Sequence, residues 1–466
     1  MSGERMPYGP GETWPERVDV SLADGVRVRD VERWVPSASL LHSNGDAMDI
    51  AVRDERIVGV RGRAADRVNR GRLDPKDRYG WQANHHQDRL VRPLVDGRET
   101  GWDEALDLIA ARSRKRLPHQ IGFYTSGQLF LEESYTLAVI GKAGLRTPHM
   151  DGNTRLCTAT SAAALKANFG TDGQPGSYED VDHCDTLALW GHNAAETQIV
   201  LWERMLDRRR GADAPMMIAV DPRDTAVAAE ADVHLAVRPG TNLALMNALL
   251  HQIIAKGWHE PDYIDAHTIG FDRLCRVVEP CTPAWAAGVC GVPAVLIERA
   301  AEILGSARNL FSTVLQGFYQ SHQATAAACQ VNNLHLVRGM LGRTGAGLCQ
   351  MDGQPTARNT RETGADGGLP GFRNWANPAH VEDLARRWNV DPATIPHSGP
   401  PTPALEIFQL AEQGEITMLW IVATNPAVSL PDLARVRRVL AKPDLFVVVQ
   451  DAGLAPCPHP RLAVSS

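Results

Sequence analysis

Residues able to do chemistry gather at the ends of the strands this sequence predicts. Gly191-His192-Asn193 follows the apolar run Thr186–Trp190, and Asp221-Pro222-Arg223-Asp224 follows Met216–Val220. Thr424-Asn425-Pro426 follows Met418–Val422, and Gln450-Asp451 follows Leu445–Val449. Open parallel sheets bind ligands outside the carboxyl ends of their strands. Four polar strand ends therefore point to a nucleotide-like ligand, with ordinary loops as the alternative. Among the eight cysteines, Cys157 has the most informative setting. It opens a predicted helix through Ala162, Leu165 and Phe169, and a helix N-terminus favours a thiolate. Taken alone it reads as a small buried thiol. No two cysteines form a C-x-x-C pair, so no zinc-ribbon or iron–sulfur signature is present. His85-His86 reads as a solvated loop, and Arg208–Arg210 as the solvated end of a helix.

The elements that must position these residues alternate in type from about residue 100 onward. Trp102–Arg114 has the apolar spacing of an amphipathic helix. Ile121–Tyr124 reads as a short buried strand, and a helix is expected over Glu196–Arg209. His234–Val237 is a further strand. The next helix starts near Thr241 and stops at Gly257. Met418–Val422, Leu430–Ala441 and Leu445–Val449 make a βαβ unit. Such alternation predicts an α/β fold of Rossmann-like parallel sheets covered by helices. Before it lies a small β-containing region, where Asp49–Val52 and Arg56–Val60 flank a polar turn as a hairpin. Residues 353–375 read as a long Gly-rich loop.

The chain has 466 residues, 44% hydrophobic and 22% charged, with a formal net charge of −7. That is ordinary globular composition, and it gives no electrostatic footprint for nucleic acid. No stretch reaches the roughly 20 apolar residues needed to span a bilayer. The N-terminus has no apolar signal region, so a cytoplasmic protein without membrane insertion is expected.

The segment Asn153-Thr154-Arg155-Leu156-Cys157 is similar to the N-x-R-x-C stretch by which the molybdopterin oxidoreductase family, the dimethyl sulfoxide reductase superfamily, ligates molybdenum. Other matches follow in family order: Lys76 after Pro75, Gln128 after Ser126-Gly127, and Trp190-Gly191-His192-Asn193-Ala194-Ala195-Glu196. Gly353-Gln354-Pro355-Thr356-Ala357 before Arg361-Glu362-Thr363-Gly364 looks like the G-Q-P-N-A…G-R-E segment of nitrate reductases. The resemblance, to a catalytic subunit of the assimilatory nitrate reductase type, runs nearly to Asp451. It implies molybdenum held by Cys157 between two molybdopterin guanine dinucleotides. A thiolate is a soft donor suited to that metal. It also implies cofactor contacts at Lys76, Gln128, Asn153, Trp190, Gly191, His192, Asn193 and Glu196. Further contacts are implied at Asp221, Pro222, Arg223, Asp224, Thr225, Gly240, Thr241, Asn242, Gln316, Gln320, Asn425, Gln450 and Asp451. Family members often carry Asp at the position of Asn242, so that contact loses its charge here. The implied reaction is oxygen-atom transfer from nitrate to give nitrite, with Arg361 holding the oxyanion through its planar fork. A surface ion pair with Glu362 or Asp366 is the other reading of Arg361. Thr158 stands where formate dehydrogenases of the family place His, and Cys157 where dimethyl sulfoxide reductases place Ser.

The sequence departs from the family in two places. Ser39, His42, Asp46 and Asp74 hold the positions of the four cysteines that bind a [4Fe–4S] cluster. Hydroxyl, imidazole and carboxylate do not replace four thiolates, so no iron–sulfur cluster is expected. Electrons are then expected to arrive from an unidentified donor protein docking near molybdenum. His42, Asp46 and Asp74 have donor types compatible with zinc or iron, against the reading of polar loop residues at a relict site. After Asp451 the family resemblance gives way to a tail, 452–466, that reads without strand or helix pattern, and no C-terminal cap domain is expected. The expected domains are therefore 1–90, of iron–sulfur type but degenerate; 126–309, binding molybdopterin; and a discontinuous domain of 91–125 with 310–455. Another molybdopterin oxotransferase, a formate dehydrogenase-like enzyme and an inactive remnant are the alternatives in function.

Overall fold

Short runs that are apolar on both faces, such as Thr186–Trp190 with all five residues buried, suit a parallel sheet covered on both sides. Two such sheets organise the protein. The computed structural model describes residues 4–453 and the backbone of 462–464. It divides into two units: Met1–Tyr79 with Cys157–Gly353, and Gly80–Leu156 with Gln354–Ser466.

In the first unit the central sheet has five parallel strands, in the order Val233–Leu235, Met216–Val220, Thr186–Trp190, Leu310–Val314 and Gly347–Gln350. Chain order reverses between Thr186–Trp190 and Leu310–Val314, which makes a topological switch point there. The helix Asn242–Ala255 buries Leu245, Met246, Leu249, Leu250 and Ile253 in the same core as the sheet. The unit also holds a four-stranded antiparallel sheet, in the order Val20–Leu22, Arg56–Gly62, Ala47–Arg53, Arg33–Ala38. Its hairpin turns at Asp54 and Glu55, both at positive φ (51° and 57°), the geometry whose twist matches the flanking strands. The N-terminal segment is tied down by Trp14. Its indole N–H donates to Asp207 at 2.9 Å, and the Arg72 guanidinium lies 3.8 Å from its ring centre.

The second unit has a seven-stranded mixed sheet. Strands His149–Gly152, Ile121–Thr125, Met418–Val422, Phe446–Gln450 and Leu462–Val464 run parallel, and Leu94–Val95 and Arg98–Glu99 complete the edge antiparallel. Its core joins Tyr124, Ile407, Phe408, Leu419 and Val447 on one side and Ile109, Phe123, Met150 and Val448 on the other.

Three sequence expectations meet a different arrangement. The domain bounds differ from expectation: 310–353, expected with 91–125, completes the first unit through the parallel pairing of Leu310–Val314 with Thr186–Trp190, and 126–156, expected with 157–309, gives His149–Gly152 to the sheet of the second. The expected loop 353–375 contains the helix Ala357–Thr363, closed by Gly364 at φ 78°. The tail expected to lack structure supplies the strand Leu462–Val464, in parallel register with Val448–Gln450. Residues 454–461 and 465–466 of that tail lie outside the described residues.

Candidate functional site

In the first unit Cys157 precedes the helix Ala159–Phe169 and is half-buried. The Gln316 side chain donates through Nε2 to its sulfur at 3.0 Å. A Cβ added at Gly353 would stop 3.9 Å from the same sulfur, so no side chain from that position fills the space beside it. Gln316 opens the short helix Gln316–Tyr319 directly after the strand Leu310–Val314, at the switch point. Its Oε1 is buried without a hydrogen-bond partner.

Around the same strand ends lies a cavity of about 240 Å³ lined by Gly191, Asn193, Asp221, Pro222, Arg223, Asn242 and Gln316, with Thr197 and Gly317. Its floor is a backbone crossing. Gly191, at φ 59°, meets Gly317 so closely that a Cβ on either would lie 2.7 Å from backbone of the other. The Gly317 N–H donates to Gly191 O at 3.0 Å. Asn242 donates to Gly317 O at 2.8 Å and fixes that turn. Neither the amide nitrogen nor the oxygen of buried Asn193 has a partner. Buried polar atoms without partners cost free energy unless a ligand or water engages them. Asn193 and Gln316 thus bring unpartnered amide atoms to the lining of this cavity.

Other predicted residues of this unit are spent differently. His192 is buried with both ring nitrogens engaged, Nδ1 with Thr313 at 2.8 Å and Nε2 with Gln198 at 2.7 Å. Burial pulls its pKa down to about 4 and keeps it neutral. The Trp190 indole N–H donates to Ser312 at 3.1 Å inside the sheet. Thr225 caps the helix Ala226–Glu230 by accepting the Ala228 N–H. Gly240 turns the chain at φ 88° before Thr241, whose hydroxyl donates to Arg238 O at 2.7 Å. Glu196, Asp224 and Gln320 are exposed, as is Lys76, whose ammonium donates to Leu41 O at 3.3 Å.

In the second unit the strand ends present a separate set. Asn153 donates to Ser126 and Thr424 hydroxyls at 3.4 and 3.2 Å, and its Oδ1 is buried without a partner. Gln354 donates to Ser126 Oγ at 3.4 Å and Gln128 Oε1 at 3.3 Å, and its own Oε1 is likewise orphaned. Sequence reasoning did not single out Gln354 or Ser126 as contacts, although both lie inside quoted motifs. Asn425 is spent capping the helix Pro426–Ser429, through an Oδ1 that accepts the Ala427 N–H at 3.1 Å. The Gln450 carbonyl accepts the Ala423 N–H at 2.8 Å, and Asp451 accepts the Gly453 N–H at 3.4 Å. Arg361 is buried, 8% exposed, on the helix Ala357–Thr363, and its guanidinium donates to Ala357 O at 3.4 Å. The Lys142 ammonium holds the carbonyls of Gly364, Asp366 and Gly368 just beyond that helix, and burial pulls its pKa down to about 8.

Residues 89–452 match the family described as molybdopterin oxidoreductase. The chain is 35% identical to a nitrate reductase of Symbiobacterium thermophilum over 88% of its own length and 56% of the relative. It is 31% identical to the F420-dependent formate dehydrogenase subunit alpha of Methanocaldococcus jannaschii over 88% of its length and 60% of the relative. Among solved structures it is similar to acetylene hydratase from Pelobacter acetylenicus, with a TM-score of 0.71, 17% identity, and coverage of 91% of this chain and 62% of that one. The chain spans about half the length of the curated relatives it matches.

Proposed function

The chain belongs to the molybdopterin oxidoreductase family, and from that premise we propose that Cys157 ligates the molybdenum of a bis-molybdopterin guanine dinucleotide and that the site reduces nitrate to nitrite. The observation that carries this reading is the setting of the sulfur: half-buried, hydrogen-bonded by the Gln316 amide and flanked by a glycine. By contrast, Cys184 and Cys290 lie in the apolar core, with burial raising both thiol pKa values.

Each unit by itself offers residues assigned to a pterin nucleotide: Asn193, Gln316, Asp221 and Asn242 in the first, and Asn153, Gln128 and Gln354 in the second. The cofactor supplies the two-electron redox chemistry and a Lewis acid for the oxygen atom. The residues of the chain bind and orient. The Gln316 N–H stabilises negative charge on the Cys157 sulfur. The Arg361 guanidinium is assigned the planar oxyanion, for which its fork geometry and fixed charge suit it. With hard donors at Ser39, His42, Asp46 and Asp74, the reading includes no iron–sulfur cluster, and electrons come from a separate donor protein.

Purified protein loaded with cofactor is expected to reduce nitrate with reduced methyl viologen, and Cys157→Ala to abolish this. Molybdenum absent from such protein, or a rate unchanged in Cys157→Ala, would overturn the reading. A second reading, formate oxidation, is favoured by the formate dehydrogenase relative. Formate-dependent dye reduction in the same preparation, without nitrate reduction, would establish it instead.

A further inference from the structure

The first unit holds a second group of buried polar side chains that the crevice does not use. His42, Asp46, Asp74 and Asp77 are each at most 2% exposed. From His42 Nε2 the nearest carboxylate oxygens lie at 3.0 Å (Asp77), 3.3 Å (Asp74) and 3.4 Å (Asp46). Asp46 Oδ2 and Asp77 Oδ1 have no hydrogen-bond partner. Among the described residues the one ion-pair partner of these three carboxylates is His42. Lys76, next in the chain to Asp77, turns its ammonium to Leu41 O instead.

We propose that His42, Asp46 and Asp77, with Asp74, bind a single divalent first-row cation. The distances from His42 are those of a coordination shell, and the ligand atoms of His42, Asp46 and Asp77 all lie within 4.8 Å of one another. Ligand atoms about 2.0–2.1 Å from one cation stand roughly 3.0–3.4 Å apart, in tetrahedral or octahedral arrangement. One imidazole and several carboxylates are borderline-to-hard donors, suited to Zn²⁺, Mn²⁺ or Fe²⁺ and unsuited to an iron–sulfur cluster. Charge argues the same way. Three carboxylates closed off from water beside one imidazole leave negative charge that a dication largely offsets. Asp74 and Asp77 are set by the helix Pro75–Gly80, where the Asp77 N–H donates to Asp74 Oδ1 at 3.0 Å and turns both carboxylates to His42. His42 Nδ1 accepts the Asn44 N–H at 3.1 Å, which leaves the ring proton on Nε2 without metal. Binding moves that proton to Nδ1 and gives up the Asn44 contact, one neutral hydrogen bond against a full set of metal–ligand bonds.

The test is metal analysis and zinc titration of the full chain, followed by thermal shift and by calorimetry. One equivalent of Zn²⁺ per chain is expected to survive dialysis and to raise Tm. It persists in Cys157→Ala, so the result is independent of the molybdenum site. The Asp46→Asn/Asp77→Asn double variant is expected to weaken binding at least about 100-fold. His42→Gln, with a single neutral change, serves as the second variant and is expected to weaken binding in the same direction. Co²⁺ substitution reads the donor set independently: visible d–d absorption without a thiolate charge-transfer band. No stoichiometric retention of Zn²⁺, Mn²⁺ or Fe²⁺, unaltered affinity in both variants, or four irons with acid-labile sulfide would overturn the proposal.

Discussion

The crevice beside Cys157 and the pocket around His42 both lie in the first unit and both contain buried polar atoms without partners, but those atoms face different things. In the crevice the amides of Asn193 and Gln316 face a cavity of about 240 Å³. In the pocket the carboxylates of Asp46 and Asp77 lie 3.4 and 3.0 Å from His42 Nε2, and the ligand atoms of all three residues are within 4.8 Å of one another. Orphaned amides facing open volume call for a large polar ligand. Orphaned carboxylate oxygens gathered at one imidazole call for a single cation or shared protons. The two histidines repeat the contrast: His192 is surrounded by neutral partners and His42 by anions.

The largest expected effect breaks the comparison at its soft donor. Cys157→Ala removes the sulfur, and nitrate reduction is expected to fall at least about 10³-fold, some 4 kcal/mol of barrier, while cation binding at His42 is unaffected. Parallel loss of both metals would show that the two regions are coupled and overturn their independence. Next in size is Gly191→Ala. Positive φ combines with a backbone atom 2.7 Å from the new Cβ, so relief requires moving the Gly317 turn. About 2–4 kcal/mol of stability is expected to be lost, read as a lower urea midpoint at unchanged slope.

His192 sharpens the contrast through pH. Its folded pKa is depressed to about 4. An unfolded imidazole titrates near 6.5, so the unfolded chain takes up the proton first as pH falls. The stabilising contribution is therefore complete above about pH 6.5 and is lost progressively down to about pH 4. Between pH 7 and 5 the loss attributable to this ring is about 2 kcal/mol, and denaturant melts of His192→Gln are expected to show a correspondingly flatter pH profile. A profile as steep in the variant as in the parent would remove His192 from the account.

Much of this was legible in sequence because the signals were local. Thr186–Trp190 and Met216–Val220 are apolar on both faces and end in polar clusters, and Trp102–Arg114 has helical spacing throughout; all three have the predicted bounds. What escaped is long-range or unpatterned. The pairing of Leu310–Val314 with Thr186–Trp190 joins residues far apart in the chain and leaves no local mark. Ala357–Thr363 is a helix of mostly polar residues without an apolar stripe, so Arg361 read as part of a loop. Asp77 escaped because it lies outside the four positions that match the family's cluster cysteines. The signal was present in Asp74-x-x-Asp77, where Asp74 precedes the helix Pro75–Gly80 and accepts the Asp77 N–H, which draws the two carboxylates together.

The smallest expected effect has the most diagnostic sign. Asn193 is buried at the crevice with its amide nitrogen and oxygen both without partners, so the cofactor-free chain carries a desolvation cost at this residue. Replacing it by Leu keeps the volume similar and removes the polar atoms. If the amide exists to meet a ligand, Asn193→Leu stabilises the cofactor-free protein by about 1 kcal/mol and simultaneously lowers cofactor retention. An amide serving the fold alone would give the opposite first result, a destabilised apoprotein. The two measurements, urea midpoint without cofactor and molybdenum content with it, must therefore move in opposite directions. The same logic applied to Asp46 and Asp77 gives metal loss without any change in molybdenum content, since their orphaned oxygens face a different ligand.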